Sequence, residues 1–185
     1  EAYPEYKAQR EETPEAIRTA VPIIKDIIRA YRIPILEVAG FEADDVIGTL
    51  ATQAAAHGNL ETYMMTPDKD YGQLVSENVF MYRPKHTGGF EVMGVDEVKA
   101  KFDIQSPAQV IDMLCLMGDS SDNIPGCPGV GEKTAQKLIA EFGSIENLLE
   151  HTDQLKGALK TKVETNREMI TFSKFLATIK IDVPI

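Results

Sequence analysis

After Thr13-Pro14, apolar residues recur at Ile17, Val21, Ile24, Ile28 and Tyr31. That spacing predicts an amphipathic helix, with Thr13 as its N-cap and Pro14 at its first position. Pro22 should kink it. The apolar run Ile35-Leu36-Glu37-Val38, beyond Pro34, predicts a short buried strand. Residues 43–56 predict an Ala-rich helix closed by Gly58. Glu61 to Thr66 predicts the next strand, and Val79 to Arg83 and Phe90 to Met93 predict two more around Gly88-Gly89. Strands alternating with helices predict a parallel α/β sheet.

From Pro107 onward the pattern is helical only. Val110, Ile111, Leu114 and Met117 form one apolar face, and the loop Asn123 to Gly131 is rich in Gly and Pro. Residues 132–142 predict a helix ended by Gly143. Ser144 then caps one carrying Ile145, Leu148 and Leu149. The expected organisation is an α/β domain over 1–105 and an all-helical domain over 106–185.

Composition narrows the classes. Of 185 residues, 43% are hydrophobic, enough for a real core. No apolar run is long enough to span a membrane. Cys115 and Cys127 make no disulfide framework and no zinc cluster, so a reducing, cytoplasmic setting is expected. The first residue is Glu with no signal peptide before it, so the chain is expected to be a piece of a longer one. The net charge of −10 argues, taken alone, against a nucleic-acid binder. The excess acid lies in the first half, where residues 1–98 carry nine basic and seventeen acidic residues.

Three acidic clusters stand out: Glu42-Ala-Asp44-Asp45, Asp68-Lys-Asp70 and Asp119-Ser-Ser-Asp122. The first two follow predicted strands, where open α/β sheets bind ligands. The third ends a predicted helix, and its i,i+3 spacing can put both carboxylates on one face. Seven carboxylates at one point would repel strongly. Mg²⁺ or Mn²⁺, hard cations that prefer oxygen, would resolve that. Singly, each cluster has a plainer reading as a helix-dipole partner or a solvated loop. Their corresponding positions favour metal.

Gly126-Cys-Pro-Gly-Val-Gly131-Glu132-Lys133-Thr134 nearly matches a P-loop, but Glu132 separates the Gly from the Lys and a helix, not a strand, comes before it. A hairpin between helices fits better. Gly129, Val130 and Gly131 would let the backbone approach a surface. The N–H groups from Gly131 to Lys133 would open a helix that can hold phosphate. Lys133, Thr134 and Lys137 would lie beside them and contact a nucleic-acid backbone without reading sequence. The plainer alternative is a packing corner.

At this point Phe-Glu-Ala-Asp-Asp-Val-Ile-Gly-Thr-Leu-Ala (41–51), Thr-Pro-Asp-Lys-Asp-Tyr-Gly-Gln-Leu-Val (66–75) and Leu-Met-Gly-Asp-Ser-Ser-Asp-Asn-Ile-Pro-Gly-Cys-Pro-Gly-Val-Gly-Glu-Lys-Thr-Ala (116–135) resemble a known family. These are the flap-endonuclease-like 5′ nucleases, which include the 5′–3′ exonuclease domain of bacterial DNA polymerase I. The similarity runs through all 185 residues, and the long third motif is the specific one. The resemblance implies a PIN-like α/β domain followed by a helix-three-turn-helix domain. It implies two divalent cations hydrolysing phosphodiesters of DNA at a 5′ end, flap or nick, with a polymerase domain in the same full-length chain. By motif, Glu42, Asp44 and Asp45 belong to the first-metal side, and Asp68, Asp70, Asp119 and Asp122 to the second. Tyr6-Lys7-Ala-Gln-Arg10 matches the arch, which implies that Lys7 and Arg10 contact the scissile phosphate. The glycine loop would bind downstream duplex, with K⁺ or Na⁺ on backbone carbonyls such as those of Cys127 and Val130.

The family begins with a longer segment carrying a first strand with its Asp and a second Asp before the arch. Neither is in this chain, so poor cleavage by residues 1–185 alone is expected. Pro67 stands where the family commonly has Gly, a minor change because Pro also sets a turn. The competing reading is a non-catalytic or single-metal DNA-binding relative. The four second-metal acids favour the nuclease.

Overall fold

The computed structural model describes residues 3–85 and 87–185. Its elements in chain order are α1 (Glu15–Ala30), α2 (Ala43–Ala56), β1 (Thr62–Met65), a 3-10 helix (Lys69–Leu74), β2 (Val79–Pro84), β3 (Phe90–Met93), α3 (Val95–Phe102), α4 (Gln109–Met117), α5 (Glu132–Phe142), α6 (Ile145–Glu150), a short 3-10 turn, α7 (Gly157–Thr165) and α8 (Arg167–Ala177).

The sheet has the order β1-β2-β3. β1 pairs with β2 in parallel, Met64 opposite Met81, while β3 pairs antiparallel with β2, Arg83 opposite Glu91. The sheet is therefore mixed rather than parallel throughout. The cause is the connection. The link from β2 to β3 is a tight turn in which Lys85 N–H donates to the Gly89 carbonyl at 2.9 Å, and only antiparallel strands can be joined that way.

Three further expectations are corrected. Ile35–Val38 is not a strand, and Leu36 is exposed; no strand among the described residues lies beside it to complete a ladder. α1 begins at Glu15 behind Pro14, without a side-chain cap, and continues through Pro22 as one helix. Asp119 and Asp122 lie beyond α4, in a turn closed by a bridge between Asp119 and Ile124. A carboxylate pair on one helix face is thus replaced by a loop.

The core is one continuous cluster running from Ala51 and Met64 to Ile170 and Ala177. α4 is its axis. Val110, Met113, Leu114, Cys115 and Leu116 are all fully buried, as expected of a helix apolar on every side. α5 and α8 pack against it. Asp112, on the same helix, accepts from Lys174 Nζ at 2.7 Å, so a charge in the core has its partner.

Past α8 the chain runs as a strap over α2 and the first 3-10 helix. Gln73 Nε2 donates to the Ala177 carbonyl at 3.0 Å, and Ile179 N–H donates to Gln73 Oε1 at 2.9 Å. Val183 N–H donates to Thr49 Oγ1 at 3.1 Å.

Candidate metal and nucleic-acid site

The three acidic segments arrive from different elements. Glu42, Asp44 and Asp45 open α2, where negative charge suits the helix N-terminus. Asp68 and Asp70 sit where β1 passes into the 3-10 helix, and Asp68 Oδ1 accepts the Asp70 N–H at 3.0 Å. Asp119 and Asp122 sit in the turn after α4. That turn depends on two glycines in close contact. A Cβ on Gly126 would stand 2.4 Å from Gly118 N, and one on Gly118 would stand 2.7 Å from the Ile124 carbonyl oxygen. Only glycine fits such a backbone crossing.

Residues 5–10 lie against this turn. Lys7 N–H donates to the Asp122 carbonyl at 3.1 Å. Gln9 Nε2 donates to the Ser120 carbonyl and Asn123 Nδ2 to the Glu5 carbonyl, both at 2.7 Å. Lys7 itself takes a left-handed backbone at φ 57°, a conformation that costs a non-glycine residue energy and often marks function. The result is that Lys7 ion-pairs with Glu42 and, at 3.5 Å, with Asp122. Arg10 ion-pairs with Asp122.

All seven acids line adjoining cavities. One of about 420 Å³ holds Lys7, Arg10, Glu42, Asp44, Asp68 and Asp122. Another of about 460 Å³ holds Asp68, Asp70, Asp119 and Asp122, and Asp45 lines a smaller one beside Asp44. They are gathered in a cleft but not drawn to one point: among the described residues, no three acidic, His or Cys side chains form a closed ligand set.

The carboxylates differ in partners. Burial pushes the Asp70 carboxyl up to about 7, and nearby Asp68 adds to the shift. Its Oδ1 is buried with no hydrogen-bond partner among the described residues, and Lys69 Nζ stands 4.0 Å away, too far for a hydrogen bond. An orphaned, buried carboxylate oxygen facing other acids is what a divalent cation would satisfy. Burial alone would push Asp119 up as well, but an ion pair with Lys69 and the Ser121 N–H at 2.7 Å hold its carboxyl below the usual range. Burial raises Asp44. Asp45 has structural work: Oδ2 accepts the Glu42 N–H at 3.2 Å and Oδ1 accepts the Lys180 N–H of the strap at 2.9 Å.

The glycine loop continues from the turn after α4, with Cys127 N–H donating to the Leu116 carbonyl at 2.8 Å. Gly126 N–H donates to Ser173 Oγ at 3.0 Å, tying the loop to α8. Gly131 precedes α5, whose Lys133, Thr134 and Lys137 leave the helix N-terminus, both lysines exposed. Val130 is buried, and its N–H donates to the Cys127 carbonyl at 3.0 Å. Lys162, unmarked in the sequence, donates to the Gly129 carbonyl at 3.0 Å. Lys69, which pairs with Asp119, carries no motif signal beyond its place between Asp68 and Asp70, where it stands as an internal counter-charge.

The chain is similar to known proteins. A model described as the 5′–3′ exonuclease N-terminal resolvase-like domain matches residues 1–103, and one described as the 5′–3′ exonuclease C-terminal SAM fold matches 105–185. DNA polymerase I of Bacillus subtilis is 44% identical over 99% of this chain and 21% of its own length. The thermostable DNA polymerase I of Thermus thermophilus is 41% identical over 100% and 22%. The chain thus spans about a fifth of the length of the curated relatives it matches. Among solved structures, a T5 5′-exonuclease with bound zinc superposes with a TM-score of 0.77 at 23% identity, covering 94% of this chain and 67% of that one. The bacteriophage T5 flap endonuclease in complex with DNA and metal ions gives 0.76 at 22%, covering 94% and 66%. An α/β half with a mixed sheet, a helical half and an acidic cleft at their join thus carry the two domain signatures in order, and the chain belongs to the 5′–3′ exonuclease family.

Proposed function

We propose that this chain is the 5′–3′ exonuclease and flap-endonuclease module of a DNA polymerase I, with two divalent cations, Mg²⁺ or Mn²⁺, in its acidic cleft. The observation that carries this reading is Asp70 Oδ1, buried and without a hydrogen-bond partner among the described residues, beside a cavity lined by carboxylates from three separate segments: Glu42, Asp44 and Asp45; Asp70; and Asp122. Glu42, Asp44 and Asp45 serve the first cation, and Asp68, Asp70, Asp119 and Asp122 the second. The cations supply an activated water and neutralise the leaving oxygen.

The chain's own residues bind and orient the strand. Lys7 and Arg10 leave Glu42 and Asp122 for the scissile phosphate and offset the charge that grows on it. Thr66 Oγ1 accepts the Asp68 N–H at 3.1 Å and holds that loop open to the cleft. Gly129, Val130, Gly131, Lys133, Thr134 and Lys137 hold the duplex backbone, with free N–H groups at the start of α5. K⁺ or Na⁺ belongs at the Cys127 and Val130 carbonyls, where it competes with the Lys162 ammonium for the hairpin's negative end. The further partner is the polymerase domain of the same full-length chain. The location is the cytoplasm, where the buried thiols of Cys115 and Cys127 stay reduced.

A single-metal or non-catalytic DNA-binding relative is the second reading. It is favoured by the lack of a closed three-acid set among the described residues and by the lysines already paired with Glu42 and Asp119. Calorimetric titration with Mn²⁺ and a 5′-flap cleavage assay separate the two. A binding event lost in Asp70→Asn, with flap cleavage by the chain extended at its N-terminus, supports the nuclease. Binding of DNA by that extended chain without cleavage supports the binder.

A further inference from the structure

The acidic cleft has a basic wall that the family motifs leave out. In the cavity of about 460 Å³, four cationic side chains face the four aspartates. Two are committed, Arg10 to Asp122 and Lys69 to Asp119. Arg83 has only a long pair with Glu91, and Lys101 has none among the described residues.

Arg83 follows Val79 and Met81 in the alternation of β2, both buried. Its position therefore points to the core side of the sheet, at the end of the strand nearest the acids. Its nearest carboxylate, Glu91 on β3, is 3.6 Å away, and Nη1 reaches Met93 Sδ at 3.4 Å, a weak acceptor. Arg83 Nε is buried and has no hydrogen-bond partner among the described residues. Lys101 stands in the last turn of α3, and no ion pair of it occurs among the described residues. Partial desolvation of its ammonium lowers its pKa, and Arg83 lowers it further. The two cations are thus close enough to repel. A helix C-terminus accounts for one lysine and a cross-strand Glu91 for part of one arginine. Neither accounts for two cations sharing one cavity wall.

We infer that Arg83 and Lys101 form a phosphate-binding subsite, which takes an internal phosphodiester of the same DNA strand whose scissile bond lies over the carboxylates. The subsite rests on the nuclease reading and adds to it. A planar guanidinium offers two parallel N–H donors to phosphate oxygens, and the ammonium adds a point charge. The strand then runs from a negative wall, bridged by metal, to a positive wall that needs none. One phosphate satisfies Arg83 Nε and removes the repulsion between the cations.

The test is binding of a fluorescein-labelled 5′-flap DNA to the 185-residue chain, with Ca²⁺ in place of Mg²⁺, across a salt series. Arg83→Gln and Lys101→Met should each raise Kd about tenfold, the value of one charge-assisted hydrogen bond. Each should also shallow the log K against log salt slope by about one. Lys101→Arg should keep the parent's slope, and flaps with or without a 5′-phosphate should show the same losses. Melting temperatures confirm folding, and Lys101, being exposed, gives a variant whose fold is safe if Arg83→Gln melts early. A parent that binds while Lys101→Met keeps its Kd and slope overturns the subsite alone. Equal losses in Lys101→Met and Lys101→Arg overturn it in favour of packing. Losses confined to 5′-phosphorylated flaps overturn the internal-diester assignment. A parent that does not bind DNA at all overturns the nuclease reading and the subsite with it.

Discussion

α1 and α8 carry nearly the same kind of pattern and have opposite fates. Both are amphipathic by spacing. α8 lays Ile170, Ser173 and Ala177 into the core against α4. α1 buries none of its residues, and Ile17, Ile24 and Ile27 are each at least half exposed. Periodicity thus fixes the helix and the face, while burial depends on what the rest of the fold brings to that face. In energetic terms α8 gains by the area it removes from water, whereas α1 among the described residues rests on propensity and local pairs such as Arg29 with Asp26 at 2.9 Å.

That contrast breaks most easily in the core. Ile170→Ala should cost about 3–4 kcal/mol of unfolding free energy in a urea titration, because it opens a cavity at a fully buried site. A loss no larger than that of an exposed site would mean α8 is not docked as described.

The acids give a finer version of the same contrast. Asp119→Asn strips Lys69 of its partner in a mostly buried pair, partly screened because Lys69 is about a third exposed. The expected cost is about 1–2 kcal/mol. Asp70→Asn should do the reverse and raise the melting temperature of the metal-free protein at pH 7.5. Asp70 titrates near 7 when folded and near 3.9 when unfolded, so between those values the native state holds the extra proton. Its contribution is present below about pH 4 and is lost as pH rises through about 7. Thermal melts from pH 4.5 to 7.5 should show a smaller decline in Asp70→Asn than in the parent. Parallel curves would remove the orphaned-carboxylate argument.

The two ends of the site differ in the same way. Lys133→Ala and Lys137→Ala, on exposed positions, should leave stability unchanged and each shallow the salt slope of duplex binding by about one. An unchanged slope would make the hairpin a packing corner. The smallest effect belongs to α1: Ile24→Ala should change unfolding free energy by about 0.5 kcal/mol or less. A cost comparable to that of Ile170→Ala would show that its apolar face is covered in solution.

Much of this was legible along the chain. α2, β1, β2, β3 and α5 stand within a residue of where patterning put them, because each has a clean period and a turn residue at its end. The acids line adjoining cavities, although only Asp68 and Asp70 follow a strand; the first cluster opens α2 and the third follows α4. What failed were statements about partners. Ile35–Val38 has the composition of a strand and lacks a neighbour. Lys69 and Asp119 are 50 positions apart, Lys162 and Gly129 are 33 apart, and Arg83 and Lys101 share a wall across the β3 hairpin and α3. No local pattern encodes such meetings. Asp119 follows an apolar run, and that pattern extends a helix as far as the third acidic segment. The crossing of Gly118 and Gly126, which turns the chain there, is a contact between backbones and leaves no periodicity.

The strap that crosses α2 has a consequence for the order of assembly during synthesis. Asp45 receives its Lys180 donor across 135 positions, and Thr49 its Val183 donor across 134. α2 can coil as soon as it leaves the ribosome, but these bonds wait until the chain has grown past Val183. Contacts so distant slow folding, because a long loop must close first. The acidic end of α2 is therefore among the last places to become rigid, and shortening the strap should delay the maturation of the cleft more than it weakens the finished core.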